Sequence, residues 1–275
     1  MRLKDIYSKN LAISFEVFPQ EDASALFEAL ITLKKYNPVL VSLTYGAGGS
    51  NQELSKNIIL KLKDDYNLMP HFTCICSDKK SVGESIKLMQ DNGIENILAL
   101  RGDVPDGIDS CYFDFSHANQ LVDFIKEKTD LSVAVAGYPE GHIESPDAET
   151  DIKYLKQKVE CGADAIYTQL FFNNDKYYKF VERVRATGIN VPVVPGIMPI
   201  LSQKQVEKMT GLARIEVPSK VQDALRKYTK DDLKKFGVEY ASEQCNNLIS
   251  FGVKGLHFFT LNRSYSTSKI LDNIL

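Results

Sequence analysis

Eight times along the chain a short apolar run ends at a chemically capable residue and gives way to a stretch of helical periodicity. The runs are AISFEVF (12–18), VLVSLTY (39–45), MPHFTCI (69–75), NILALRGD (96–103), LSVAVAGY (131–138), DAIYTQL (164–170), VPVVPGI (191–197) and GLHFFTLNR (255–263). A strand followed by a helix-length crossover is what a parallel sheet requires, because parallel neighbours cannot be joined by a tight turn. Eight such units predict an α/β fold of the (β/α)8 TIM-barrel class, whose chemistry sits at the C-terminal ends of its strands. The 275 residues fit one such domain, so the chain reads as a single catalytic barrel over 1–275.

Helices are expected at 23–36, 52–66, 81–92, 116–128, 148–161 and 175–187, with stop signals at Asn92-Gly93 and Cys161-Gly162. The interval 198–254 is about twice the usual length, and it holds helical stretches at 203–210, 218–228 and 231–250. These are extra helices between strands 7 and 8. A terminal helix over 264–275 either closes the barrel base or meets a neighbouring subunit.

With 33 Lys plus Arg against 36 Asp plus Glu and no dense basic patch, nucleic acid is not an expected partner. No apolar stretch reaches the roughly 18 residues of a membrane span, and MRLKDIYSKN lacks a signal-peptide core. A soluble, cytoplasmic protein acting on small molecules is the expectation. Five cysteines, an odd number without framework spacing, are expected as reduced thiols, with Cys74 and Cys76 as packing residues.

Period-two alternation puts Ser14 and Glu16 on one face of the first strand and Ile13, Phe15 and Val17 on the other. Likewise Ser42 and Thr44 share a face, as do His71 and Thr73, so the barrel interior should turn polar toward its mouth. Glu16, flanked by Phe15, Val17 and Phe18, is expected to be desolvated. Its pKa would then rise and leave it partly protonated near neutrality, as a general acid requires. The alternative is a carboxylate paired with a lysine or arginine inside the barrel. Arg101-Gly102-Asp103 sets opposite charges two residues apart beside a glycine that permits close backbone approach, suiting either a ligand site or a structural ion pair. The glycine-rich stretch 46–50 reads as a βα loop open to phosphate contact, without a dinucleotide fingerprint or a Walker lysine. His71, Cys74 and Cys76 do not make a metal site, since alternation separates the histidine from the cysteines. Tyr138, Glu140 and His142 crowd the turn after strand five.

Taken together these motifs resemble the methylenetetrahydrofolate reductases. The segments that carry the resemblance are SFEVFP (14–19), VSLTYGAG (41–48), PHFTC (70–74), LALRGD (98–103), AGYPEGH (136–142), AIYTQLFF (165–172), VPGI (194–197) and FTLNR (259–263), in family order along nearly the whole chain. The resemblance implies a barrel that binds FAD without a Rossmann fingerprint and reduces 5,10-methylenetetrahydrofolate to 5-methyltetrahydrofolate at the expense of NAD(P)H. It implies Glu16 as general acid and Asp103 as the carboxylate beside flavin and folate. Thr44, Tyr45, Ala47, His71, Arg101, Gly102, Asp103, Tyr138, His142, Asp151 and Lys158 fall on FAD-lining positions, and Gln169, Tyr177 and Arg263 on folate-holding ones. The implied kinetics are ping-pong: hydride passes from nicotinamide to flavin, then from flavin to a folate iminium opened by protonation. A homo-oligomer is implied, and no metal.

Several positions depart from the family pattern. Gln20 stands for a proline and Val17 for a phenylalanine. Met209 occupies a place where some relatives carry a substrate-contacting phenylalanine, and Gln157 replaces a basic residue near the FAD. The chain is expected to lack the C-terminal regulatory domain of eukaryotic relatives. A competing expectation is a flavin- or folate-binding subunit fed by an electron-donating partner protein. A phosphate-binding aldolase is disfavoured because no lysine ends a strand where a Schiff base would form. The preference between NADH and NADPH is left open by the sequence.

Overall fold

The computed structural model describes residues 1–8, 11–44, 52–104, 111 and 113–275. Its strands are β1 (Ala12–Val17), β2 (Leu40–Leu43), β3 (Leu68–Thr73), β4 (Asn96–Leu100), β5 (Ser132–Gly137), β6 (Ala165–Leu170), β7 (Val193–Ile197) and β8 (Gly255–Phe259). They pair in chain order, all parallel, and β8 returns to β1 to close the barrel. The helices are α1 (Leu3–Ile6), α2 (Ser24–Leu33), α3 (Gln52–Leu62), α4 (Lys79–Asp91), α5 (Ala118–Lys128), α6 (Ala148–Glu160), α7 (Asn174–Ala186), α8 (Gln203–Ala213), α9 (Ser219–Lys227), α10 (Lys230–Phe251) and α11 (Tyr265–Ile274). The expected barrel is present, with α8, α9 and α10 as the extra helices between β7 and β8.

Side-chain caps fix where several helices start. Asp78 accepts from the Ser81 amide at 2.7 Å, Asp147 from Thr150 at 2.7 Å and Asn173 from Asp175 at 2.9 Å. Each such cap is worth about 1 kcal/mol. The Asp78 cap explains why α4 begins before the expected position 81.

Two apolar layers follow from strand alternation. Outward-facing Phe15, Phe72, Ile97, Val133, Val135, Ile166 and Phe258 pack beneath Leu121, Ile125, Phe180, Val184 and Leu248 of the surrounding helices. Inward-facing Ala12, Leu40, Met69, Leu98, Ala134, Ala165 and Val194 fill the base of the barrel, and Leu3, Ile6 and Tyr7 plug it from below. The base is therefore closed by the N-terminal turn. The C-terminal helix instead completes the outer ring against α10, with Ile270 and Leu271 in the outer core and Asp272 accepting from the Tyr36 hydroxyl at 2.6 Å.

The cysteines correct the expectation of thiols throughout. Cys76 and Cys111 form a disulfide, while Cys74 and Cys245 are buried free thiols and Cys161 is half-buried and free. Cys76 is thus a cross-link and not a packing residue. The apolar run at 69–75 carries no hint of this, because its partner lies 35 residues away.

Candidate active site

Above the apolar base the barrel interior becomes polar. Register sets Ser14 beside His257 and Glu16 beside Ser42 and Phe259, and alternation turns all of them inward. Glu16 Oε2 lies 3.3 Å from His71 Nε2 and 3.8 Å from His257 Nε2. Both are close polar contacts, the second beyond hydrogen-bond length. Ser42 Oγ lies 2.6 Å from His71 Nε2, and Ser14 Oγ lies 2.9 Å from His257 Nδ1. Below them the Tyr7 and Tyr167 hydroxyls pair with one another, and both reach Ser14. A polar chain therefore runs from the plug at the base up to Glu16.

This surrounding reverses the expected titration of Glu16. Burial raises its pKa, but the contacts with His257 and His71 outweigh burial and hold the carboxyl down at about 2. The flanking Phe15 and Val17 that suggested a raised value point outward into the helix layer. Burial also lowers the pKa of His257, partly offset by Glu16. Ser14 Oγ pairs with Nδ1, and the neutral tautomer that carries its proton on Nε2 directs it toward Glu16. The partners of Glu16 are imidazoles from β3 and β8, not the lysine or arginine considered from sequence.

The backbone of Glu16 is held from β8 as well. Thr260 Oγ1 donates to the Glu16 carbonyl at 2.7 Å. Asn262 accepts from the Phe18 amide at 3.0 Å and donates to its carbonyl at 2.8 Å, extending the β1–β8 ladder with a side-chain amide.

A second cluster opens at the ends of β4 and β5. A cavity of about 320 Å³ is lined by Arg101, His117, Tyr138, His142, Asp151 and Lys158, among others, and Gln157 lies on its rim. Arg101 makes a two-pronged ion pair with Glu144, at 2.5 and 2.9 Å. The charged pair at this strand end is therefore Arg101–Glu144, and Asp103 is exposed beside it. Lys158 Nζ donates to the Ala136 carbonyl at 2.6 Å. Burial lowers the Lys158 pKa to about 8 against the pull of Asp151, and burial raises that of Asp151, which accepts from Ser145 at 3.2 Å. His142 packs edge-on to Tyr138 with ring centres 4.6 Å apart, and its Nδ1 accepts from the Glu144 amide at 3.1 Å. Burial lowers its pKa, so it is a neutral ring with Nε2–H available.

The other residues singled out from sequence divide by position. Thr44 is half-buried just after β2, its amide donating to the Val17 carbonyl at 3.1 Å. Gln169 lies within the irregularity of β6 between Tyr167 and Leu170, half-buried, its side-chain oxygen accepting from the Leu170 amide at 2.8 Å. Gly102 sits at φ +85° against Thr73 and Ile75. Arg263 is exposed after β8. Tyr45 and Ala47, with the glycine stretch, lie outside the described residues. Tyr177, expected at the folate, has a ring that is 2% exposed and stacks on Phe171 at 5.3 Å, and its hydroxyl donates to the Val193 carbonyl at 2.8 Å. It belongs to the layer between α7 and the barrel.

Sequence reasoning passed over His257 and Glu144. A histidine at the inward position of an otherwise apolar last strand was the available signal for the first. Glu144 had none, since its partner lies 43 residues away.

A closed parallel barrel with a buried carboxylate at its mouth and a polar cavity beside it is the architecture of a small-molecule enzyme. The sequence profile of methylenetetrahydrofolate reductase matches residues 2–275. A 5,10-methylenetetrahydrofolate reductase of Escherichia coli is 34% identical over 259 residues, covering 92% of this chain and 86% of that protein. The methylenetetrahydrofolate reductase (NADH) 1 of Arabidopsis thaliana is 36% identical over 284 residues, covering 96% of this chain and 48% of its own length. The chain thus belongs to the methylenetetrahydrofolate reductase family, and it spans about half the length of the plant relatives it matches. Among solved structures, an uncharacterized protein from Clostridium thermocellum, described as binding two copies of 5-methyl-5,6,7,8-tetrahydrofolic acid, aligns with a TM-score of 0.65 at 14% identity, covering 98% of this chain and 96% of that one. At that identity the likeness is one of fold. Among the described residues no helix is long and apolar enough to cross a membrane.

Proposed function

We propose that this chain reduces 5,10-methylenetetrahydrofolate to 5-methyltetrahydrofolate with electrons from NAD(P)H, using FAD as the carrier. The observation that carries the reading is the placement of Glu16, between two imidazoles, at the mouth of a barrel whose neighbouring strand ends build a polar cavity. Family membership over residues 2–275 supports the reaction, and the folate-binding barrel of the same fold supports the substrate class.

The donor set fits a flavin dinucleotide. A half-buried lysine, a buried aspartate, a neutral histidine and an arginine already bound by a carboxylate converge on one cavity. They combine cationic groups for a diphosphate with acceptors for ribose hydroxyls. Thr44, Tyr45, Ala47, His71, Arg101, Gly102, Asp103, Tyr138, His142, Asp151 and Lys158 would hold it. When bound, FAD supplies a two-electron hydride relay between nicotinamide and folate.

The chain's own residues supply the rest. Glu16 gives the proton that opens the imidazolidine ring of the folate, and His71 and His257 hold its carboxyl in place. Asp103, exposed at the end of β4, faces the cation that ring opening creates, where a fixed negative charge is most effective once water is excluded. Gln169 and Arg263 hold the folate. One active-site face serving two substrates in turn gives ping-pong kinetics.

The test is spectroscopic. Protein reconstituted with FAD should be bleached by NADH or NADPH and recover its flavin spectrum on adding methylenetetrahydrofolate. A reconstituted protein that nicotinamide bleaches but folate does not reoxidise defeats the assignment. One that folate alone reoxidises, and nicotinamide never reduces, belongs instead to a complex with an electron-donating partner.

A further inference from the structure

We propose that Cys76 and Cys111 form a reversible thiol–disulfide site that fastens the β4 strand end, and with it the wall of the polar cavity, to the turn after β3. Only these two of the five cysteines are paired. Both residues are partly exposed, so an external thiolate can reach the bond.

What the bond fastens follows from its neighbours. The Cys76 amide also donates to the Cys111 carbonyl at 2.9 Å, so residue 111 is tied to this turn by backbone and sulfur alike. On the same turn the Ile75 amide donates to the Arg101 carbonyl at 2.8 Å, and Gly102 rests directly on Ile75 and Thr73. Downstream of Cys111, Asp114 accepts from the Lys79 amide at 2.7 Å and Phe115 is buried in the outer core. The buried Cys74 thiol contacts the carbonyls of Arg101 and His117, both of which line the cavity. The turn after β3 is thus the floor under Arg101 and Gly102 and the anchor for the segment leading to His117.

The chemistry is dithiol–disulfide exchange. A thiolate of an external dithiol attacks one sulfur and forms a mixed disulfide; its second thiol then closes the reductant's own disulfide. Cys76 and Cys111 each take up one proton and, together, the two electrons that the dithiol gives up. In the reduced protein the tie at residue 111 is left with the amide bond alone. Arg101 to Asp103 then move more freely, and the affinity for FAD falls; this last consequence rests on the function proposed above.

The experiment compares the protein air-oxidised with the protein treated with dithiothreitol under native conditions. Maleimide labelling and peptide mass analysis should find Cys76 and Cys111 blocked in the oxidised form and both labelled after reduction. Hydrogen exchange at 73–76 and 101–103 should then rise by about tenfold, as expected for loss of a local restraint. FAD affinity, read by flavin fluorescence, should weaken by about fivefold, a local loosening of roughly 1 kcal/mol. Cys111→Ser should behave like the reduced protein and ignore dithiothreitol. Free thiols at both positions after oxidation, unchanged exchange at 101–103 on reduction, or equal FAD affinity in the two forms overturns the proposal. If neither form binds FAD the flavin reading fails, and labelling with exchange alone decides the redox site.

Discussion

Gly102 offers the sharpest test of how the β4 end is built. It has φ +85°, and a Cβ placed on it would sit 2.8 Å from Ile75 Cγ2 and 3.1 Å from Thr73 Cβ. Gly141, at φ +89°, has nothing within 4 Å of the same position. Replacing each by alanine separates two costs. Both variants put an L side chain in the left-handed region, worth about 1–2 kcal/mol, and both recover the same unfolded-chain entropy, about 0.4–1 kcal/mol. Only Gly102→Ala adds overpacking against neighbours that cannot swing away, about 1–3 kcal/mol. The difference between the two in urea unfolding should therefore be about 1–3 kcal/mol, with Gly102→Ala the less stable. A double-mutant cycle with Ile75→Ala should give a favourable coupling, because the space vacated by the isoleucine receives the new methyl. Equal destabilisation at the two glycines, within about 0.5 kcal/mol, with no coupling to Ile75, would refute the close-packing account of the strand end.

Other expectations address single residues. Glu16→Gln should keep flavin reduction by nicotinamide and lose folate turnover by roughly 10²–10⁴-fold in stopped-flow half-reactions; equal loss in both halves would make Glu16 structural. The same variant should flatten the acid limb of stability. Because the folded pKa of Glu16 is lowered to about 2 from an ordinary 4.5, its stabilisation is present above pH 4.5 and lost as pH falls toward 2. The magnitude is about 3 kcal/mol, measurable by urea titration at several pH values. Tyr177→Phe should cost about 1 kcal/mol of stability through the lost bond to Val193 and leave the folate KM unchanged; a raised KM with normal stability would return Tyr177 to the folate site. Flavin affinity should weaken as pH rises through about 8, where the Lys158 ammonium is lost; fluorescence titration of Lys158→Met should remove that dependence.

The barrel was legible because its signal is local and repeated. Each apolar run carries its own alternation, and the Ser14/Glu16 face predicted for β1 is the inward face observed. The long interval before β8 likewise announced extra helices. What escaped depended on contacts between distant segments. Period two places Glu16 inward but cannot say that His71 and His257 meet it there, so the sign of its pKa shift came out reversed. The bond from Cys76 to Cys111 and the pair of Arg101 with Glu144 escaped for the same reason. The bond from the Tyr177 hydroxyl to the Val193 carbonyl, 16 residues on, is another contact that no local pattern announces.

A general acid at neutral pH needs a proton that the free barrel withholds from Glu16. The balance is close to hand, however, because its largest single influence, burial, already acts upward and is overcome only by the two imidazoles. The Glu16 side chain is 19% exposed, so a ring system filling the mouth strips its remaining water and strengthens the upward pull. The two imidazoles keep their contacts, so the change in hydration at the mouth is what shifts the balance. Occupancy and protonation are then linked, and binding of a folate analogue should take up a proton detectable in a weakly buffered solution. Glu16 would be anionic while the mouth is open to water and acidic once a folate covers it. Binding without proton uptake, with the carboxyl still ionised in the complex, would move the acid role from Glu16 to one of its two histidines.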